Sequence, residues 1–396
     1  MPLRLLALLL TTLSAGLSPA VAQAAEVTGD SGKGLTVTSD DGQFSMNVRG
    51  RIQLRESLTT PPPGDGAREV TTIGRVYTAR VWLNGHTLSE DIGYTFQLAV
   101  APNDYRDGTI SPIFDATLDL KHNPNASLRV GQIFVPFDRA RTIREFSLQL
   151  ADRPRPVSEL TLDRDVGAYL YSDALGGSMV AYRLGVFAGG GGNAIAEKAP
   201  GGLAVARIEL RPLGPVDDDS EGDLNRRETP GLALGVAAAY NLNTNRARST
   251  TSTTYTLGTA DYLHLAGDVV FKWRGVAVMG EAVLRDAQEE SWTVTDDEGV
   301  AATEYARSGW GWLVQPSVMI TPKVELAGRY SRLYAFEGTD PKYVTETETL
   351  GNELAAGVNY YLNKHRFKVQ GGWTARFGED FSQAQHTGQV LVDVMF

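Results

Sequence analysis

Arg49, Arg51 and Arg55 lie on one side of an alternating stretch, opposite Phe44, Met46, Val48, Ile52 and Leu54. Residues two apart on an extended strand are about 7 Å apart on one face, so these arginines form a row of guanidiniums. A guanidinium presents a planar fork of donors that matches phosphate, and its charge does not titrate away. A row or ring of such charges passes anions if each site binds weakly enough to release. A second set, Arg139, Arg141, Arg144, Arg153 and Arg155, falls within Pro136–Asp163 and interleaves with Asp138, Glu145, Asp152 and Glu159. Arg80, Arg183, Arg207, Arg329 and Arg376 also sit opposite apolar positions. The plainer alternative is that these arginines pair with acids such as Asp115, Asp119, Glu209, Glu281 and Glu325. The spacing leaves both open.

Other chemistries find little support. His86, His122, His264, His365 and His386 are scattered without metal-ligand spacing. There is no cysteine, so neither disulfides nor a thiolate metal site is expected. No Gly-x-Ser-x-Gly elbow occurs. The run Gly189–Gly192 lacks the Lys-Ser/Thr of a phosphate-binding loop. Asp261 and His264, three apart on one strand, face opposite sides. No enzyme activity, catalytic residue, metal or cofactor is expected. A net charge of −10 argues against nucleic acid as a partner.

The elements that must position the arginines are strands. Leu5–Leu17 is an apolar run after Arg4, and Ala22-Gln23-Ala24 is a small-x-small cleavage site, so residues 1–24 read as a signal peptide. Residues 25–43 read as a short periplasmic arm. Beyond it no run of 18 or more apolar residues occurs, which excludes helical spans. Instead a two-residue period recurs through 16 segments, from Phe44–Glu56 to Gly388–Phe396. That period suits walls that meet lipid on one face and water on the other. Short turns, such as Arg274-Gly275 and Thr321-Pro322-Lys323, alternate with long connections, such as Asn241–Leu257 and Gln288–Tyr305. Tyr240, Trp273, Tyr360 and Tyr361 near strand ends suggest aromatic girdles against outer-membrane lipid. The expected fold is all-β: a transmembrane 16-stranded antiparallel barrel over residues 44–396 in the bacterial outer membrane. The alternating final strand, ending in Phe396, has the form read by the barrel assembly machinery.

Three stretches carry a family likeness: Asp40–Phe44 with Arg49–Gln53; Leu128–Phe137 continuing to Asp163–Gly167; and Gly357–Asn363. With Phe396 they resemble the phosphate-selective porin O/P family. The resemblance implies a 16-stranded porin, a homotrimer, arginines that pass phosphate-like anions, and an inward-folded constriction loop at 136–163. The residues add their own argument for that loop. Pro136 ends a strand, pairing resumes only near Val166, and Phe137, Ile143, Phe146, Leu148 and Leu150 could pack against a wall. Thr142–Leu150 is expected to form a short helix. The alternatives are an outer loop at 136–163, a broad-specificity porin with little ion preference, and an outer-membrane enzyme or plugged structural barrel.

Overall fold

The computed structural model describes residues 25–63, 69–102, 112–193 and 201–396. The signal-peptide reading of residues 1–24 lies outside the described residues. Sixteen strands make the wall. In chain order they are β1 (Ser45–Thr60), β2 (Thr71–Thr87), β3 (Ser89–Ala99), β4 (Ile113–Leu120), β5 (Ser127–Phe134), β6 (Arg164–Ala174), β7 (Val180–Phe187) and β8 (Gly202–Leu210). The second half continues with β9 (Gly231–Thr244), β10 (Ala260–Trp273), β11 (Val276–Ala287), β12 (Gly309–Met319), β13 (Val324–Ala335), β14 (Asn352–Asn363), β15 (Phe367–Phe377) and β16 (Gln385–Met395). Each strand pairs antiparallel with its sequence neighbour. The ring closes where β16 pairs with β1, from His386↔Thr60 to Met395↔Arg51. Closure satisfies every edge, which a sheet in a bilayer requires.

The two faces separate as the alternation predicts. On β1, Ile52 and Leu54 are exposed while Arg51, Gln53 and Arg55 are buried. The same split recurs at Leu234 and Val236 on β9, Val314 and Val318 on β12, and Leu354 and Val358 on β14, all exposed. The apolar face is therefore the outside of the ring and the polar face its inside. Among the described residues no helix is long and apolar enough to cross a membrane. Trp273 and Tyr360 are exposed as girdle residues should be. Tyr361 corrects that expectation: one residue on, it points inward, is buried, and donates to Glu325 Oε2 at 2.6 Å.

Residues 26–38 form a hairpin, Glu26–Asp30 with Gly34–Thr38, whose second strand pairs with the start of β1. At the seam Phe396 N donates to Gly50 O at 3.0 Å, and Gly50 N donates to Phe396 O at 2.7 Å. A side chain at Gly50 would begin 2.5 Å from the Phe396 ring, so the ring needs glycine beneath it. Gly131, in the stretch that carries the resemblance, has φ +129°, and a Cβ there would lie 2.0 Å from Ala116 O.

Candidate functional site

Between β5 and β6 the chain makes two short helices and no strand. Asp138 caps the first, Arg139–Thr142, by accepting from Arg141 N at 2.6 Å. The second is Arg155–Leu160, with Pro154 at its N-cap. The expected helix over Thr142–Leu150 does not form. Ile143 and Arg144 are extended, and only a 3-10 turn, Glu145–Ser147, follows. The backbone groups such a helix would use are engaged elsewhere: Arg153 donates to Ala140 O and Ile143 O, and Gln149 N donates to Glu221 at 2.6 Å. Ala140, Ile143, Leu148 and Val157 pack with Ala233, Val270, Met279 and Leu313 from β9 to β12.

The segment's polar groups meet inner-face side chains from most of the ring. Glu145 accepts from Thr78 on β2 at 2.9 Å and pairs with Arg80 at 3.0 Å. Ala140 N donates to Glu281 on β11 at 2.8 Å, and Arg285 donates to Glu159 O at 2.5 Å. Gln149 donates to Ser317 on β12 and Glu325 on β13, at 2.5 and 2.6 Å, and its carbonyl accepts from Asn359 on β14 at 2.9 Å. Lys368 on β15 donates to Leu148 O at 2.7 Å. Asp152 takes Arg55 on β1 at 2.5 Å and Gln389 on β16 at 2.8 Å.

Most of the singled-out arginines are engaged. Arg51 holds Asp393 with two bonds, 2.8 and 2.6 Å. Arg55 pairs with Asp152 and stacks 3.4 Å over Tyr77. Arg139 joins Asp268 at 2.5 Å, Asp218 at 2.9 Å and Glu209 at 3.5 Å. Arg141 pairs with Asp163, Arg155 with Glu346 at 3.8 Å, and Arg329 with Glu353 at 2.8 Å. Arg153 donates to backbone carbonyls rather than to a carboxylate. Arg49 lies 5.4 Å over Trp82. Neither Arg49 nor Arg144 has an acidic partner among the described residues.

A cavity of about 1080 Å³ opens beside this segment, lined, among the described residues, by eleven arginines and eight carboxylates. One wall is an alternating stack. Arg80 and Arg164 cover Phe114 at 4.2 and 3.6 Å, and Arg164 and Arg141 cover Phe134 at 3.7 and 5.3 Å. Rings on their faces keep these guanidiniums flat, with their N–H edges left for carboxylates.

Four residues that hold the arrangement are not among the site candidates read from the sequence. Asp393 and Asp268 are inner-face strand residues, visible only once the faces and register are fixed. Asp218 and Glu221 belong to the connection between β8 and β9, at the end of the barrel that carries the short Arg274–Gly275 turn. Arg274 N donates to Arg227 O at 2.9 Å, and Gly275 N to Asp223 at 2.7 Å. This connection is long where the other turns at that end are short. The Asp261–His264 pair does not assemble: His264 bonds Ser249 at 2.9 Å, and Asp261 accepts from Asn243 N at 2.7 Å.

Charge states in the segment follow from these contacts. Burial alone would raise the Glu145 carboxyl, but Arg80, Arg51 and the Thr78 hydroxyl overcome it and hold it well below the usual carboxylate range. Burial pushes the Asp138 carboxyl up to about 6, against the pull of Thr161, Arg141 and Arg153. A buried acid of this kind contributes stability that is full below its ordinary 3.8 and is lost as pH rises through about 6. Wild type should therefore lose urea resistance relative to Asp138→Asn across that window. A difference that does not change with pH would show that Asp138 is already ionised when folded.

The fold and its two faces define an outer-membrane barrel of the porin type. It is similar to solved structures of that class. An anion-selective porin from Comamonas acidovorans superposes with a TM-score of 0.57 at 11% identity, over 89% of this chain and 100% of that one. Salmonella typhi OmpF, in complex with daunomycin, gives 0.54 at 14% identity, over 89% and 98%. The outer membrane channel DcaP of Acinetobacter baumannii gives 0.52 at 11%, over 91% and 99%. At these identities the likeness is one of fold. No protein-family model matches the chain, and no curated protein matches it.

Proposed function

We propose that this barrel is a passive diffusion channel favouring anions, with phosphate-like oxyanions as the preferred class, in the manner of the phosphate-selective porin O/P family. In this reading Pro136–Asp163 is the constriction, residues 1–24 are a signal peptide, residues 25–43 a periplasmic arm, and the channel works as a homotrimer without enzymatic activity. The assembly machinery reads Phe396. One observation carries the anion preference. Among the described residues the cavity lining has three more arginines than carboxylates, in a chain whose net charge is −10. Charge at a narrow, partly desolvated passage acts more strongly than the same charge spread over a surface. The extensive Arg–carboxylate pairing favours a second reading, a broad porin with little ion preference. Zero-current potentials in a salt gradient separate the two. Anion selectivity is expected, and Arg49→Gln with Arg144→Gln should lower the chloride-to-potassium permeability ratio more than Arg55→Gln, whose positive charge Asp152 already offsets. A wild-type potential near zero would favour the broad porin. An anion preference untouched by the Arg49 and Arg144 changes would move selectivity to other residues.

A further inference from the structure

Among the described residues three pairs of arginines face each other across neighbouring strands: Arg51↔Arg80, Arg55↔Arg75 and Arg183↔Arg207. Like charges directly opposite in a sheet are destabilising unless something lies between them. Arg55 and Arg75 share the ring of Tyr77, at 3.4 and 5.1 Å. Arg183 and Arg207 share Glu209, at 3.7 and 2.7 Å, a carboxylate fixed on the strand β8 itself. Arg51 and Arg80 differ: Arg51 holds Asp393 of β16 through Nε and Nη2, but the carboxylate that faces both arginines is Glu145, which the wall does not supply. It arrives on the 3-10 turn of the 136–163 segment.

The place Glu145 occupies is a built oxyanion site. One oxygen accepts from the Thr78 hydroxyl at 2.9 Å. The other lies 3.0 Å from Arg80 Nη2 and 3.9 Å from Arg51 Nη1. Arg51 is 1% exposed, and its Nη1 is buried with no hydrogen-bond acceptor. A buried guanidinium nitrogen without an acceptor is an unmet demand for an anion closer than Glu145 comes. The Glu145 side chain is 18% exposed and lines the cavity, so a solute can reach the oxygens it would replace. Phe146 under Arg51 and Phe114 under Arg80 close the site with ring carbons. A carboxylate, with two oxygens, uses the three donor groups in full. A phosphate has further oxygens that would be left against those rings.

We infer that Glu145 is a resident competitor in a carboxylate site formed by Arg51, Arg80 and Thr78, and that small organic carboxylates crossing the barrel bind there by displacing it. The inference rests on the anion-channel reading above and adds a second solute class, bound at its own site, to the phosphate-like one proposed there. Displacement exchanges one carboxylate for another, so the charge of the arginine pair stays balanced while the segment's turn is released.

The test uses the full barrel carrying Glu145→Ala, with Glu145→Gln as a neutral variant of the same size should the first fold poorly. Sodium acetate, phosphate and chloride are compared at equal ionic strength. One readout needs no conduction: the urea midpoint of the folded barrel in detergent. Acetate should restore the midpoint that the variant loses in chloride, and should do little for wild type. In planar bilayers, acetate should block chloride current in the variant at a concentration roughly tenfold lower than in wild type, as expected for regained charge-assisted bonds. Adding Arg80→Gln should abolish both effects. If acetate acts no differently from chloride in either readout, the site does not exist, even in a channel that proves anion-selective. If phosphate restores the midpoint as well as acetate does, the carboxylate class is wrong. Acetate rescue in a barrel without anion preference would keep the site and overturn the channel reading.

Discussion

Deleting residues 142–150 is expected to raise single-channel conductance by roughly twofold or more, since the wall of a 16-stranded barrel alone encloses an aqueous channel. The deleted stretch supplies Leu148 O to Lys368 and Gln370, and Gln149 to Ser317, Glu325 and Asn359. It therefore ties the connection between β5 and β6 to the inner faces of β12 to β15. The same deletion removes Arg144, a cavity-lining arginine with no acidic partner among the described residues, and should weaken block by phosphate together with the rise in conductance. Planar-bilayer recordings with the deletion bridged by glycines read both. Unchanged conductance would place the segment outside the conduction path and remove the main support for a constriction.

Arg139→Gln should cost about 3–5 kcal/mol of stability, the range for breaking a buried ion pair by removing one partner. Arg139 is 3% exposed and stands among Asp268, Glu209 and Asp218. Without its charge Arg207 still meets Asp268 at 2.6 Å and Glu209 at 2.7 Å, and Arg211 meets Asp218 at 3.1 Å, so part of the loss is covered. The double variant Arg139→Gln, Asp268→Asn should recover a portion, because it removes one stranded carboxylate along with the guanidinium. Urea midpoints of the folded barrel measure the cycle. A single variant as stable as wild type would show that the acids find water or other partners when Arg139 goes.

The wall was legible in the sequence because its period is set by a single physical contrast, lipid against water, repeated on every strand. The 16 segments all appear, with ends displaced by a few residues; β1 runs on to Thr60 and β2 begins at Thr71. Tyr361 was misplaced because composition at a strand end does not say which face a ring takes. The site was less legible. That Arg51 would sit on the inner face followed from alternation, but its partner Asp393 is 342 residues away and depends on the closing register. Glu145 reads as one acid among several in a charged loop, and only three-dimensional placement sets it between two arginines. The failed helix at 142–150 has the same origin: Arg153 and Glu221 capture its backbone groups from outside its own sequence window.

Asp152 has a consequence for the order in which the molecule comes together. Its carboxylate touches Arg55 on β1 and Gln389 on β16, the two strands that meet last along the chain. Arg51 and Asp393 form a second clasp across the same junction. Contacts between chain ends carry the largest loop-closure entropy and form late. On that ordering a loop from the middle of the sequence would be at the gap before the gap shuts, and would act as a template on which first and last strands find their register. In a nascent barrel the interior would be furnished before the wall is finished, and opening the finished wall would begin from within.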